Sequence, residues 1–146
     1  MVRSGGDALT LMVFDLFRAH GALLRFGDDF VAEHDLASSS WQVLGAVSRG
    51  GGEITVPGIA RRMGQARQSV QRQVNGLLDR GLIELRENPN HRRSPHLALT
   101  TSGQRLHDTI QKRWATWARA VSKSIPAQDL QAVRRTLEAF TEALER

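Results

Sequence analysis

The sequence predicts a mainly helical fold that carries one small β-hairpin. Over most of the 146 residues, apolar side chains recur at steps of three and four, which is the period of one helix face. Only two short segments, close together in the chain, alternate apolar and polar residues as half-buried strands do. Serine, threonine, proline and glycine stand between these segments, where helices and strands begin or end.

The first helix is predicted from Asp7 to about Ala32. Because further apolar residues widen its apolar stripe, this helix needs more than one neighbour. The stripe contains Leu9, Met12, Val13, Leu16, Phe17, His20, Leu23 and Leu24. A second helix begins near Trp41, after the serines at 38–40 that offer N-caps, and ends at the glycines at 50–52.

The third and fourth helices are short and are separated by only three residues. Thr55 caps the third helix, which has Pro57 in its first turn and ends at Gly64. The fourth helix begins at about Ala66, and Gly81 supplies the position just beyond its C-terminus.

A β-hairpin and two further helices complete the predicted chain. Residues 82–87 and 95–100 alternate like strands, and the Pro- and Asn-rich residues between them form an exposed loop. Thr101 caps a fifth helix over residues 102–122, and Pro126 starts the last helix. The last helix carries a coiled-coil-like seam formed by Leu130, Val133, Leu137, Phe140 and Leu144.

The positive charge of the chain is concentrated in one segment. Between Ala60 and Arg93 there are eight arginines and three acids, so this window accounts for the whole net charge of +5. A localised basic excess is typical of a polyanion partner, most often nucleic acid, although a solvated face with scattered arginines would give the same count.

The fourth helix divides into an apolar face and a polar face without acids. The polar face consists of Gln68, Gln71, Arg72 and Asn75. Arginine pairs with the guanine edge in the DNA major groove and glutamine or asparagine with the adenine edge, whereas carboxylates would repel phosphates. We therefore expect Gln68, Gln71 and Arg72 to read bases. Arg67, Ser69 and Asn75 are expected to hold the backbone or the groove edge.

The hairpin loop carries the adjacent arginines Arg92 and Arg93. If the fourth helix lies in the major groove, the loop projects along the duplex. These guanidinium groups would then reach the neighbouring minor groove or its phosphates. The order of helix, turn, helix and hairpin is that of a winged helix-turn-helix.

The segment from TVPGIARRM to LTTSGQRL resembles the winged helix-turn-helix of MarR-family transcriptional regulators, and the flanking helices fit the same plan. The resemblance implies dimerisation helices at 1–36 and 102–146 and a DNA-binding domain at 37–101. It also implies a homodimer that binds a pseudo-palindromic operator on double-stranded DNA. Because the sequence shows no membrane span and no signal peptide, the expected location is the cytoplasm. Such proteins are typically repressors, released by a small hydrophobic or phenolic effector, by oxidation or by a metal.

Three positions depart from the family pattern. His91 stands where the family commonly has an Asp that pairs with an Arg and orders the wing, so that salt bridge is expected to be absent. Ala66 replaces a frequent capping Ser, and Gly58 replaces a frequent Glu, which leaves Thr55 without a capping-box partner. These departures affect which individual side chains can be expected to contact DNA as they do in the family.

Two further side chains are candidates for effector binding. His20 lies on the stripe of the first helix, and Trp41 lies at the start of the second, beside the cleft that effectors use in this family. Structural packing is the competing interpretation for both. The sequence predicts no cofactor, no metal site and no membrane span, and it has no cysteine.

Two other function classes compete with DNA binding. An enzyme would need a nucleophile and base arrangement, which the sequence does not show. A winged helix that contacts an acidic protein partner would show no sequence preference for DNA, which separates it from a regulator.

Overall fold

The computed structural model describes residues 4–146, and within them the chain forms six α-helices and one two-stranded sheet. In chain order the elements are α1 Gly5–Val31, a 3₁₀ turn Ala32–His34, α2 Ser38–Arg49, α3 Val56–Met63, α4 Arg67–Asp79, β1 Ile83–Arg86, β2 His96–Leu99, α5 Thr101–Ser122 and α6 Ala127–Leu144. This confirms the predicted mainly helical fold with a β-hairpin.

The chain divides into two compact units, one ending at His107 and the other covering Asp108–Arg146. The core of the first unit is built from the apolar faces of α2, α3 and α4 and from β2. Its side chains are almost completely buried, and they include Val43, Leu44, Val47, Ile59, Val70, Val74, Leu77 and Leu97. In α2 and α4 these positions recur at steps of three and four, as expected for the buried face of a helix.

The sheet pairs β1 with β2 in antiparallel register, with Ile83 opposite Leu99 and Leu85 opposite Leu97. Leu97 also donates its backbone N–H to the carbonyl of Ile54 at 2.8 Å, which adds an isolated bridge just before α3. This backbone hydrogen bond thus attaches the hairpin to the segment that leads into α3. We call β1, β2 and the loop at 87–95 the wing.

The N-terminus of α2 is not capped by the serines that the sequence suggested. The helix begins at Ser38, its N-cap residue Ala37 makes no side-chain cap, and Ser38 is buried. Asp28 of α1 instead accepts a hydrogen bond from the backbone N–H of Ser38 at 2.7 Å. The prediction of a serine cap was wrong because a carboxylate from the preceding helix already satisfies one free N–H of this terminus.

The cap of α5 is also one residue away from the prediction. Thr100, not Thr101, accepts the backbone N–H of Gly103 at 3.1 Å. The same hydroxyl donates to the carbonyl of Gly81 at 2.6 Å, beyond the end of α4. The Thr100 hydroxyl therefore links Gly81, just beyond the end of α4, to the N-terminus of α5.

The second unit contains the remainder of α5, a short turn and α6. Trp114 and Trp117 lie one helical turn apart, with ring centroids 4.8 Å apart. Along α6 the predicted seam is only partly covered in the single chain, since Leu137 and Phe140 are half-buried whereas Leu130, Val133 and Leu144 are exposed.

Candidate nucleic-acid interface

The turn between α3 and α4 sets the direction of α4. Thr55 caps α3 by accepting the N–H of Gly58 at 3.2 Å, as predicted. Gly64 ends α3 in the left-handed region with φ of 59°, where a glycine is favoured because it has no Cβ. The N-cap of α4 is Ala66 without a side-chain hydrogen bond, which confirms the predicted missing cap.

Helix α4 has the two faces that the sequence predicts. Val70, Val74 and Leu77 are buried, and Leu78 is half-buried. All the predicted DNA-contact residues of this helix are exposed: Arg67, Gln68, Ser69, Gln71, Arg72 and Asn75. Within this exposed set, Gln71 Nε2 donates a hydrogen bond to Asn75 Oδ1 at 2.8 Å.

A groove with a volume of about 760 Å³ lies between α4 and the wing, and we call it the α4–wing groove. Its exposed arginine and amide side chains are Arg61, Arg67, Gln68, Gln71, Asn75 and Arg93. Its apolar wall includes Leu78 and Leu85, and Leu85 is 54% exposed. The described residues that line the groove include three arginines and no acid, so the groove favours an anion.

The wing loop is ordered by Asn88. This side chain is only 8% exposed, and its Nδ2 donates to the carbonyl of Ser94 at 2.8 Å. Its Oδ1 accepts the backbone N–H of Asn90 at 3.1 Å, while backbone bonds link His91 to Asn88 and Ser94 to His91. The amide of Asn88 therefore joins the two ends of the loop. It orders the wing, in which His91 is expected to leave the family's salt bridge absent.

The two wing arginines lie on different sides of the loop. Arg93 lines the α4–wing groove, whereas Arg92 lines a separate depression with Arg86 and Pro89. Both side chains are exposed. The structure thus brings Arg93 together with the side chains of α4 and leaves Arg92 on the other face of the wing.

A family model described as the MarR family matches residues 34–94, which cover α2 to the wing loop. An uncharacterized protein of Mycobacterium tuberculosis is 38% identical over 139 residues, which cover 95% of this chain and 96% of the relative. The chain belongs to the MarR family. The motif match and the near full-length relative together agree with the winged helix-turn-helix that the structure contains.

Solved structures extend the likeness of this MarR-family chain over most of its length. CouR from Rhodococcus jostii, solved with p-coumaroyl-CoA bound, is 26% identical with a TM-score of 0.77, over 88% of this chain and 90% of CouR. A mutant MarR from E. coli, solved with operator DNA, has a TM-score of 0.76 at 16% identity, over 94% and 98% of the two chains. At this low identity, the likeness to the E. coli protein shows a common fold.

The two candidate effector residues of this MarR-family chain have different surroundings. His20 is exposed on α1. Trp41 is half-buried on α2 and stacks on Phe30, with centroids 5.4 Å apart and an interplanar angle of 22°. Phe30 in turn lies 5.4 Å from Phe26, so Trp41 belongs to a row of aromatic rings that joins α2 to α1.

Several residues that bear on the interface were not singled out as sites from the sequence. The sequence identifies Arg61 of α3 only through its charge, although its side chain lines the groove together with Arg93 of the wing. Asn88 was described only as a loop former, although the Asn-Pro-Asn sequence that contains it is typical of a side-chain-stabilised turn. Ser40, whose hydroxyl donates to Gln73 Oε1 of α4 at 2.8 Å, has no local signal because its partner is 33 residues away.

Neither a metal site nor a membrane span is present in the part of the chain that the structure describes. Within residues 4–146, no group of three or more His, Asp or Glu side chains could hold a metal ion. No helix in the same range is long and apolar enough to cross a membrane.

Proposed function

We propose that this MarR-family chain is a sequence-specific DNA-binding repressor that binds a pseudo-palindromic operator as a homodimer. The observation that carries the proposal is the α4–wing groove, in which three arginines and three exposed side-chain amides converge without an acid among its described lining residues. Guanidinium groups neutralise phosphates and amides read base edges, so this surface has both functions that specific binding requires.

The proposed division of labour follows the chemistry of each exposed side chain. Gln68, Gln71 and Arg72 read bases from the exposed face of α4, while Arg67, Ser69 and Asn75 hold the backbone or the groove edge. Arg61, Arg92 and Arg93 add phosphate or minor-groove contacts from α3 and the wing. Loss of Arg72 should relax sequence preference at one position, whereas loss of Arg67 should weaken binding to all sequences alike.

The proposed dimer is supported by apolar surface that the single chain leaves exposed. On α1, Phe14 is 69% and Phe17 is 72% exposed, and on α6 Leu144 is 70% exposed. Apolar surface of this extent on a helix usually marks an interface. We place the dimerisation segments at 1–36, whose first three residues lie outside the described part, and at 102–146, with the DNA-binding domain at 37–101.

The dimer can be tested by substituting Phe17 with Glu, which puts a charge on the exposed apolar face of α1. We expect sedimentation equilibrium to show a dimer for the wild type and a monomer for Phe17→Glu. Arg18→Glu, one residue along on the exposed surface of the same helix, is the matched control and should remain dimeric. A wild-type monomer at micromolar concentration would contradict the proposed assembly.

The DNA proposal is tested by selecting bound duplexes from a random-sequence pool at near-physiological salt. We expect a two-fold symmetric motif whose half-sites lie about 34 Å, or one helical turn, apart. Weak, salt-sensitive binding without a motif would contradict the proposed function and would favour a winged helix that contacts an acidic protein partner. Arg72→Ala should change the selected motif at one position of each half-site.

We further propose that a small hydrophobic or phenolic effector releases the protein from DNA, with His20 and Trp41 as candidate contacts. The support is the likeness to CouR, whose structure holds p-coumaroyl-CoA. An effector that changes the spacing of the two α4 helices by a few ångström would prevent both from docking at once. A phenolic compound that binds tightly without lowering operator affinity would contradict this mechanism.

A further inference from the structure

The hydrogen bond between Gln71 and Asn75 limits what Gln71 can recognise. The two residues are one helical turn apart on the exposed face of α4, and both line the α4–wing groove. Gln71 Nε2 is the donor and Asn75 Oδ1 the acceptor, at 2.8 Å. One of the two N–H groups of the Gln71 amide is therefore already occupied before any DNA is bound.

The groups that remain on the Gln71 amide are one N–H and the carbonyl oxygen Oε1. Adenine presents N7 as an acceptor and N6–H as a donor in the major groove, which is the complement of this pair. Guanine presents two acceptors, N7 and O6, and would need two donors. Because one donor is held by Asn75, a guanine at this position would leave its O6 facing Gln71 Oε1.

We infer that Gln71 and Asn75 form a pre-organised adenine reader, in which Gln71 contacts the base and Asn75 is a positioning residue. This inference rests on the proposed DNA-binding function and deepens it, because it assigns a base to one position of each half-site. It also changes the role expected for Asn75 from the sequence, since its acceptor atom serves Gln71 rather than the DNA backbone.

The pair tightens recognition by reducing the freedom of a long side chain. An isolated glutamine on an exposed helix face samples several rotamers, and ordering it on binding costs conformational entropy. A partner one turn away fixes the amide plane beforehand. Since Asn75 is the shorter side chain, its acceptor is held close to the helix and defines where the Gln71 amide lies.

Two substitutions at Asn75 separate positioning from simple contact. Asn75→Asp keeps an acceptor and removes the donor, so it preserves the bond from Gln71 Nε2. Asn75→Leu has a similar size and removes the acceptor. We expect the aspartate variant to keep adenine at the base position that Gln71 contacts. In the leucine variant, the preference for adenine over guanine at that position should fall by about five-fold or more, while the preferences at other positions stay unchanged.

A third variant tests the base contact itself. Gln71→Glu has only acceptors and should shift the preferred base at the same position from adenine to cytosine, whose N4 amino group is a donor. Arg72→Ala is the matched control on the same helix face, since it should alter a different position and leave this adenine unchanged. Each variant is compared by selection from the random pool and by binding to single-base operator variants.

The free protein offers a measurement that does not depend on DNA. In a ¹H–¹⁵N spectrum, the Gln71 side-chain NH₂ protons should be more separated in chemical shift than those of an unbonded glutamine. This separation should persist in Asn75→Asp and collapse in Asn75→Leu. Unchanged melting temperatures would show that both variants are folded.

The outcomes separate the two levels of the proposal. A wild-type pool without any motif would overturn the proposed function and, with it, the adenine reader. A symmetric motif in which Asn75→Leu leaves all base preferences unchanged would overturn the adenine reader alone. Equal loss of adenine preference in the aspartate and leucine variants would also overturn it, because the acceptor would then not be what matters.

Discussion

Arg80 Nη1 donates a hydrogen bond of 2.8 Å to the backbone carbonyl of Asp35, and Arg80 Nη2 donates one of the same length to the carbonyl of His34. These carbonyls belong to the turn between α1 and α2, where Asp35 has a left-handed φ of 52°. Arg80 follows the last residue of α4. One guanidinium group therefore connects the C-terminal end of α4, the proposed DNA-reading helix, to the turn that follows α1.

Substituting Arg80 with Ala should lower the free energy of unfolding by about 1 kcal/mol, because two carbonyls at an exposed turn return to water. Arg80→Lys should lose part of this stability, since an ammonium group lacks the planar two-donor geometry of the guanidinium. Urea denaturation of the full chain measures both effects. Arg134→Ala on α6, which removes only an exposed pair with Glu138, is the control and should be nearly neutral.

The wing should lose order when Asn88 is replaced by Ala. The change removes partners from the Ser94 carbonyl and the Asn90 N–H at a buried position, which costs about 1–3 kcal/mol. We expect faster amide hydrogen exchange confined to the loop at 87–95 and weaker operator binding. Asn90→Ala changes a neighbouring exposed side chain and should leave exchange unaltered. Equal exchange in the two variants would contradict the proposed role of Asn88.

Replacing glycine by alanine should change the stability of the fold in opposite directions at Gly103 and Gly76. A Cβ at Gly103 would clash with the backbone carbonyl of Leu82, so Gly103→Ala should destabilise the fold by about 1–3 kcal/mol. A Cβ at Gly76 meets nothing within 4 Å, so Gly76→Ala should stabilise α4 by about 0.5–1 kcal/mol. Thermal unfolding of both variants measures the difference, and a destabilised Gly76→Ala would be inconsistent with this packing.

Removing Arg93 should weaken operator binding and reduce its salt dependence. If its guanidinium contacts one phosphate, the slope of log K against log salt concentration should fall by about 1. Titrations at several salt concentrations provide the slope. Arg134→Ala removes the same charge at a residue that does not line the α4–wing groove, so it should leave the slope as it is. A slope that does not change in Arg93→Ala would place this arginine outside the interface.

The sequence by itself determined the helices, the wing and the acid-free face of α4. These features follow from local periodicity and from residues such as Thr55, Gly64 and Gly81, whose effects act within one turn of the chain. The concentration of arginines between Ala60 and Arg93 could likewise be found by counting charged residues along the sequence. For these features, the physical cause lies within a few residues of its effect.

Only the tertiary structure decided how these pieces are held together. The Asp28 carboxylate caps α2, Arg80 ties α4 to the turn after α1, and Arg92 and Arg93 separate onto two faces of the wing. The first two relationships join groups that are distant in sequence and have no period or spacing that would reveal them. The third depends on the course of the wing loop, which is fixed by the buried amide of Asn88. Long-range hydrogen bonds form only where packing brings the partners together, so their identity depends on the fold.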